Sequence, residues 1–382
     1  KPILGQGLFL SEGDLHRRQR RLVQPALGRT YVANYVPVIT DFCQRTSQGW
    51  REGSEIEMAR EMLDLTLPIV TKALFHVQLD AETADIRQAL TTVIEHFNRF
   101  LAPSAGWLGK LPTPRNVRCW RAQQRLDQIV FQLIRASRRQ TTSGDDVLSR
   151  LLRAQDHQGD GRGMSDRQVR DEVMTLLVAG HETVATALTW TWYLLSQNPA
   201  VEARLHQEWD QVLEGRTPQI DDLPQLQYTK MVLAESMRIY PPVWALSRVV
   251  TQDYPVRNYL IPAGSIVGVS QYVAHRDERY FGEPGKFDPL RWTEQEKAKR
   301  PKFSYFPFGG GPRLCIGEAF AWMEMILILA TLGQQWRPRL VPGHPVELLP
   351  LVTLRPKHGM RMTLEPRPTG SDSTPSRKAV CV

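Results

Sequence analysis

The chain has 382 residues and a mass of 43.7 kDa, with 42% hydrophobic and 23% charged residues. That length allows one large buried core or two, and the composition excludes low-complexity disorder, collagen and a disulfide-stapled miniprotein. The net charge of +8 fits a solvated, Arg-rich surface as well as it fits nucleic acid, an anionic membrane or an acidic protein partner.

No run of about eighteen apolar residues is present, so no membrane span is expected. The first residues, Lys1-Pro2-Ile3-Leu4-Gly5, carry neither an initiator Met nor a signal-peptide pattern, and the chain reads as a piece of something longer. Cys43, Cys119, Cys315 and Cys381 stand far apart with no CxxC, which points to free thiols in a reducing compartment.

In chain order, an Arg-rich stretch from His16 to Leu27 is broken at Gly28. Val32 to Trp50, Glu57 to Val77 and Ala81 to Leu101 each carry apolar residues at i, i+3, i+4 and i+7, so all three read as helices. Residues 102–116, rich in Pro, Gly and Trp, read as a loop whose apolar content suits a hydrophobic mouth or lid. Val117 to Gln140 and Asp145 to Gln155 read as helices, followed by a polar hinge over 156–163.

Ser165 caps a long helix that runs from Asp166 to about Gln197, apolar nearly all round from Val173 to Trp192. Ala200 to Glu214 and Tyr228 to Ile239 are shorter helices, the second stopped by Pro241-Pro242. Short β-like runs follow at 245–251, 258–262 and 265–270, then a Pro- and Gly-rich meander over 277–311. A last helix spans Glu318 to Gln335, ahead of β-like runs at 346–354 and 360–364. The expected fold class is mostly α with a small β region: one domain over 1–366 and a disordered tail over 367–382.

The strongest local signal is Phe308-Gly309-Gly310-Gly311-Pro312-Arg313-Leu314-Cys315-Ile316-Gly317, placed just before a helix. Glycines on both sides permit a tight turn that aims one thiol at something large and flat. The helix N-terminus beyond it favours the thiolate, and a thiolate so placed can be the axial ligand of a heme iron. An arbitrary cysteine beside a Gly-rich turn is more often structural; Phe308, Gly311, Arg313, Cys315 and Gly317 together reverse those odds.

The stretch resembles the heme-binding loop of the cytochrome P450 family, F-x-x-G-x-R-x-C-x-G. Glu235-Ser236-Met237-Arg238 is similar to the family's E-x-x-R, and Phe287 to Trp292 to its F-x-P-x-R-W. The resemblance implies a buried cluster of Glu235, Arg238 and Arg291, in which loss of one member would strand a charge. Ala179-Gly180-His181-Glu182-Thr183 resembles A-G-x-E-T.

A Gly, an acid and a Thr in a core helix run against propensity and burial cost alike. The Thr183 hydroxyl can bond back to the Ala179 carbonyl and bend the helix. A bend beside Gly180 would open a groove for dioxygen, where Thr183 and Glu182 would manage proton delivery. A zinc-protease reading of His181-Glu182 fails because the fifth position of H-E-x-x-H is Ala185.

Nearer the start, His16 and Arg20 resemble the family's propionate-binding pair and share one helical face, and Arg248 and Arg313 match two further propionate partners. A basic surface helix is the competing reading of that segment. Arg17, Arg18 and Arg21 are free to present a positive face to an acidic electron donor. The resemblance covers roughly residues 7–365, with two departures: the segment preceding the propionate helix is absent, so the fold is expected in N-terminally truncated form, and Pro312 stands in a variable position of the heme loop.

The resemblance implies an O2-dependent monooxygenase with heme b (iron protoporphyrin IX) held by the Cys315 thiolate. It implies an apolar small-molecule substrate, a fatty acid, terpenoid or similar lipid, lying against Leu176, Leu177, Val178, Val243, Leu246 and Val352. Electrons would come from a separate ferredoxin- or flavodoxin-type donor and its NAD(P)H reductase, in the bacterial cytoplasm. A heme-thiolate peroxygenase or hydroperoxide isomerase is the alternative among enzymes, and a non-catalytic heme-binding protein the alternative of another class. A nucleic-acid binder is not expected, since basic residues are not interleaved with aromatics on one surface.

Overall fold

The computed structural model describes residues 4–75, 86, 88–93, 111, 113–139 and 146–367. Helix α1 spans Gly13–Val23, α2 Val36–Gly49, α3 Met58–Phe75, α4 Pro114–Arg139 and α5 Val147–Arg153. The long helix α6 covers Asp166–Gln197, opened by a capping box in which Ser165 and Gln168 satisfy each other's backbone N–H. Helices α7 (Pro199–Leu213), α8 (Gln227–Ile239) and α9 (Glu318–Gly333) follow among the described residues. The helix expected over 81–101 and the lid over 102–116 lie largely outside the described residues.

Nine short strands accompany them among the described residues. Strand β9 (Arg361–Pro366) lies between β1 (Glu55–Glu57) and β6 (Trp336–Leu340), antiparallel to both. β2 (Leu246–Val249) pairs with β5 (Ile266–Val269), β3 (Tyr254–Val256) with β4 (Tyr259–Ile261), and β7 (Leu348–Pro350) with β8 (Leu354–Pro356).

β1, β3 and β6 were not expected. β1 has three residues, too few for a period, and β3 and β6 contain Pro255 and Pro338, which argue against a strand until an edge is found for them. Arg367, expected at the start of a disordered tail, is fixed: its N–H reaches the Gln335 carbonyl and its guanidinium pairs with Asp210. Residues 368–382 lie outside the described set.

Among the described residues there are two large hydrophobic cores, to both of which α3 and α6 contribute, and a small third cluster of Ala234, Phe281 and Trp292. The first gathers Met58, Leu65 and Ile69 of α3, Val184 to Leu195 of α6, Val232 and Leu233 of α8, the apolar run of α9, and Met362 and Leu364 of β9. The second gathers Leu22 and Val23 of α1, Leu67, Val70 and Leu74 of α3, Ile129 and Ile134 of α4, and Val169 to Leu177 of α6. Each fully buried Leu or Ile in such a core contributes roughly 1.5–3 kcal/mol. The stretch from Ala179 to Thr183 falls between the residues that the two cores take from α6, and Gly180, His181, Glu182 and Thr183 lie in it.

Candidate functional site

The Cys315 loop is built by its glycines. Gly309 (φ 76°) and Gly311 (φ 66°) take left-handed backbone, where a Cβ costs about 1–2 kcal/mol. The turn they make lets the Cys315 N–H donate to the Phe308 carbonyl at 3.0 Å, closing the loop on itself. Gly317 caps α9, and a Cβ there would meet the Cys315 sulfur at 3.8 Å. On the other side Gly309 faces Leu246 of β2.

The sulfur is open at its own surface, yet burial still raises the Cys315 thiol above its ordinary pKa. It therefore faces a recess within the molecule rather than bulk water. The Gly317 N–H pulls that pKa back, Glu318 raises it and Arg20 lowers it. The pull of the Gly317 N–H acts in the direction expected of a helix terminus beside a thiolate, against the push of burial. Cys43 and Cys119 are buried and face the cores, and Cys381 lies outside the described residues.

The loop is held from behind by the expected charge cluster. Arg238 donates to both oxygens of Glu235 at 2.8 Å, and Arg291 lies 3.3 Å from the same carboxylate. The Trp292 indole (2.9 Å) and the Asp288 N–H (3.0 Å) also donate to Glu235, so the buried carboxylate of the cluster is paired on both oxygens. Arg238 also reaches the carbonyls of His275, Pro284 and Lys286. His275, which the sequence reading did not single out, accepts the Phe306 N–H on Nε2 and so links the cluster to the cysteine loop.

His16, Arg20 and Arg313 converge on the loop's other flank. Arg20 donates to the carbonyls of Pro312 (3.1 Å) and Leu314 (2.8 Å), while Arg313 reaches the carbonyls of Leu8 and Ser11 and pairs with the exposed Glu12. His16 is buried, and its pKa is lowered by burial, then by Arg313 and Arg20. Three donors so close, with one exposed carboxylate among them, form a place for an anion. Together with a sulfur in a recess, this donor set fits a heme with its propionates. Arg248 stands apart: it donates to the Ser247 carbonyl of its own strand, and no described bond joins it to the other three.

Helix α6 runs unbroken through residues 179–183. The Thr183 hydroxyl donates to the Ala179 carbonyl at 2.8 Å, as expected. Gly180 has a packing role: a Cβ there would meet the Val70 methyls of α3 at 3.2 and 3.3 Å. Glu182 is turned toward β8, where it accepts from Arg355 Nε at 2.9 Å and from the Thr353 hydroxyl.

Leu176 and Val178 are half-buried and fringe the second core, as do Ile316 and Phe320 beside Cys315, so helix and loop meet in one region. Leu177, expected at the substrate, is packed inside that core instead, because one residue of helix turns a side chain by about 100°. Leu176, Ala179, Gly180 and Thr183 share the less buried face. Val243 and Leu246 are half-buried and Val352 is exposed.

Arg18 and Arg21, expected to face a partner, are both directed at Asp156, and Arg17 pairs with Asp14. A concavity of about 810 Å³ opens beside them, lined in part by Arg21, Gln24, Lys230, Ile316 and Trp322.

The family model described as Cytochrome P450 matches residues 1–360. The chain belongs to the cytochrome P450 family. Cyclooctatin synthase of Streptomyces melanosporofaciens is 42% identical over 370 residues, covering 96% of this chain and 80% of that protein. Cyclooctat-9-en-7-ol 5-monooxygenase of the same organism is 39% identical over 345 residues, covering 90% and 75%. The crystal structure of the cytochrome P450DA heme domain superposes with a TM-score of 0.88 at 25% identity, covering 96% of this chain and 81% of that one. This P450 is accordingly an oxidoreductase of the monooxygenase class whose cofactor is a cysteine-ligated heme b. No helix among the described residues of this P450 is long and apolar enough to cross a membrane.

Proposed function

We propose that this chain hydroxylates an apolar terpenoid, with Cys315 as the iron ligand and Thr183 as the residue that handles protons beside the reacting oxygen. The observation that carries the reading is the Cys315 loop, closed by the Cys315 N–H on the Phe308 carbonyl and opened to a recess by glycines. When bound, heme b supplies the oxygen-activating iron. His16, Arg20 and Arg313 hold its propionates, and Arg248 would join them only by leaving the Ser247 carbonyl. Phe308 and Gly317 shape the pocket around the sulfur.

The chain's own residues do the rest. Leu176, Val178, Val243 and Leu246 exclude water and orient an apolar skeleton. Because the Thr183 hydroxyl hydrogen is committed to Ala179, the oxygen offers only acceptor lone pairs to the recess, which suits it to hold a water that passes a proton. Glu182, tied to Arg355, shares in that delivery only when the pair opens. The terpenoid class is supported by the relatives' names, which specify cyclooctatin and cyclooctat-9-en-7-ol.

Electrons come from a ferredoxin- or flavodoxin-type protein and its NAD(P)H reductase, docking over the concavity beside Lys230 and Trp322. A reduced carbon monoxide difference spectrum tests the ligand: the thiolate-type band is expected in the wild type and lost in Cys315→Ser. Its survival in that variant would overturn the assignment. Turnover of a cyclic terpene alcohol with donor and O2, and not with peroxide alone, distinguishes the monooxygenase from a peroxygenase.

A further inference from the structure

Two carboxylates at the start of α6 take part in none of the chemistry above. Asp171 accepts the Gln6 N–H and Glu172 the Leu8 N–H, each at 2.9 Å. Both acids are buried, and among the described residues Oε1 of Glu172 has no hydrogen-bond partner. Asp171 is also bound by Arg170, at 2.8 Å.

The segment they hold, a run of turns over residues 4–10, lies close against the helix because it is glycine at two points. A Cβ on Gly5 would sit 2.2 Å from the Asp171 carboxylate, and one on Gly7 would sit 2.3 Å from the Thr175 hydroxyl and 2.6 Å from the Asp171 carbonyl. No side chain fits there without lifting the segment.

Leu8 joins this clamp to the cofactor flank. Its N–H is held by Glu172, and its carbonyl accepts from Arg313 at 3.4 Å. Three residues on, the Ser11 carbonyl accepts from Arg313 at 2.7 Å, and the Ser11 N–H donates to the Gly7 carbonyl at 3.0 Å. One short piece of main chain thus carries a bond to α6 at one end and to the Arg313 guanidinium at the other.

We propose that Asp171 and Glu172 are positioning residues for Arg313, setting through the main chain of Gly5–Ser11 where its guanidinium meets a carboxylate of the cofactor. The inference rests on the reading of Arg313 as a propionate partner. Guanidinium reach is sensitive to such anchoring, because a bidentate partner needs both planes aligned. It also predicts a coupling across the chain that mere stability would not produce.

The test is the rate at which the ferric holoenzyme gives up heme to an excess of an apoprotein acceptor, with the ferrous carbonyl band checked in each variant. Glu172→Leu and Gly7→Ala, which break the clamp from opposite sides, are each expected to speed release roughly tenfold. Glu172→Gln keeps an acceptor for the Leu8 N–H and is expected within about twofold of wild type. The double variant Glu172→Leu/Arg313→Gln should release heme no faster than Arg313→Gln alone.

Multiplying effects in the double variant, or equal behaviour of the Gln and Leu variants, would overturn the inference. So would wild-type release from both Glu172→Leu and Gly7→Ala. Unchanged release from Arg313→Gln would instead refute the propionate reading beneath it.

Discussion

The Nε2 of His275 accepts the backbone N–H of Phe306 at 2.9 Å. An acceptor nitrogen carries no proton, and burial, followed by the nearby Arg238, pushes the His275 pKa down to about 3. The unfolded chain binds that proton near pH 6.5. The stability His275 contributes is therefore complete above pH 6.5 and lost as pH falls from there toward 3. His275→Phe, which keeps the ring contacts to Tyr305 and Phe306, strands the Phe306 N–H at a cost of about 1–3 kcal/mol. Denaturant midpoints should show a gap between variant and wild type at pH 7.5 that narrows at pH 5. An equal gap at both would place the acid-sensitive proton elsewhere.

Glu172 works in the opposite direction. Burial raises its pKa to about 7, against the pull of the Leu8 N–H and with a further push from Asp171. The native state therefore holds the proton more tightly than the unfolded chain, and stability declines as pH rises from about 4.5 to 7, by a few kcal/mol at most, on the order of 3. Glu172→Gln should match the wild type near pH 4 and exceed it increasingly up to pH 8 in calorimetric melting. A constant difference across that range would count against the assignment.

Thr183→Ala removes one hydrogen bond worth roughly 1 kcal/mol and leaves the helix intact. Substrate affinity should hardly move, donor consumption should continue, and the yield of product per electron should fall as hydrogen peroxide rises. The ratio of product to peroxide in a reconstituted system is the measurement. An unchanged ratio would limit Thr183 to shaping α6.

Gly180→Ala forces a methyl against Val70, and overpacking of this kind costs about 1–3 kcal/mol. Val70→Ala should relieve it. A Gly180→Ala/Val70→Ala double variant is expected to be more stable than the sum of the single effects, by chemical denaturation. Simple additivity would mean that α3 moves aside freely.

Arg238→Met takes the bidentate partner from buried Glu235, leaving Arg291 as its one cation, and strands the carbonyls of His275, Pro284 and Lys286. A loss of about 3–5 kcal/mol is expected, enough to deplete folded holoenzyme. Soluble yield and the ferrous carbonyl band should fall together. A variant that keeps both at wild-type level would show that the cluster does not brace the Cys315 loop.

The sequence displayed the elements whose cause is local. The bounds of α6 follow from the Ser165 cap and a long apolar run, and the Cys315 loop from glycines at fixed spacing. The Thr183 bond to Ala179 needs only a helix. What escaped the reading depends on partners far away in the chain. β1 is visible only once β9 is beside it, and His275 is an ordinary exposed-looking histidine until Phe306 donates to it. Arg355 looks like a strand residue until Glu182 turns toward it. Arg18 and Arg21 read as a free positive face because Asp156 lies more than a hundred residues on.

The three-stranded sheet has a consequence for biosynthesis. Glu55–Glu57 pairs with 361–363, and Glu57 also accepts the Met360 N–H. At the usual pace of synthesis, about 5–20 residues per second, the first strand waits roughly 15–60 s for its partner. Until then its backbone edge and the underside of α3 are bare on the nascent chain. The first core cannot close before residues 361–366 have been made, and an interrupted chain that stops short of Arg361 leaves the ribosome with β1 and β6 both unpaired, a substrate for chaperones and proteases rather than a smaller enzyme.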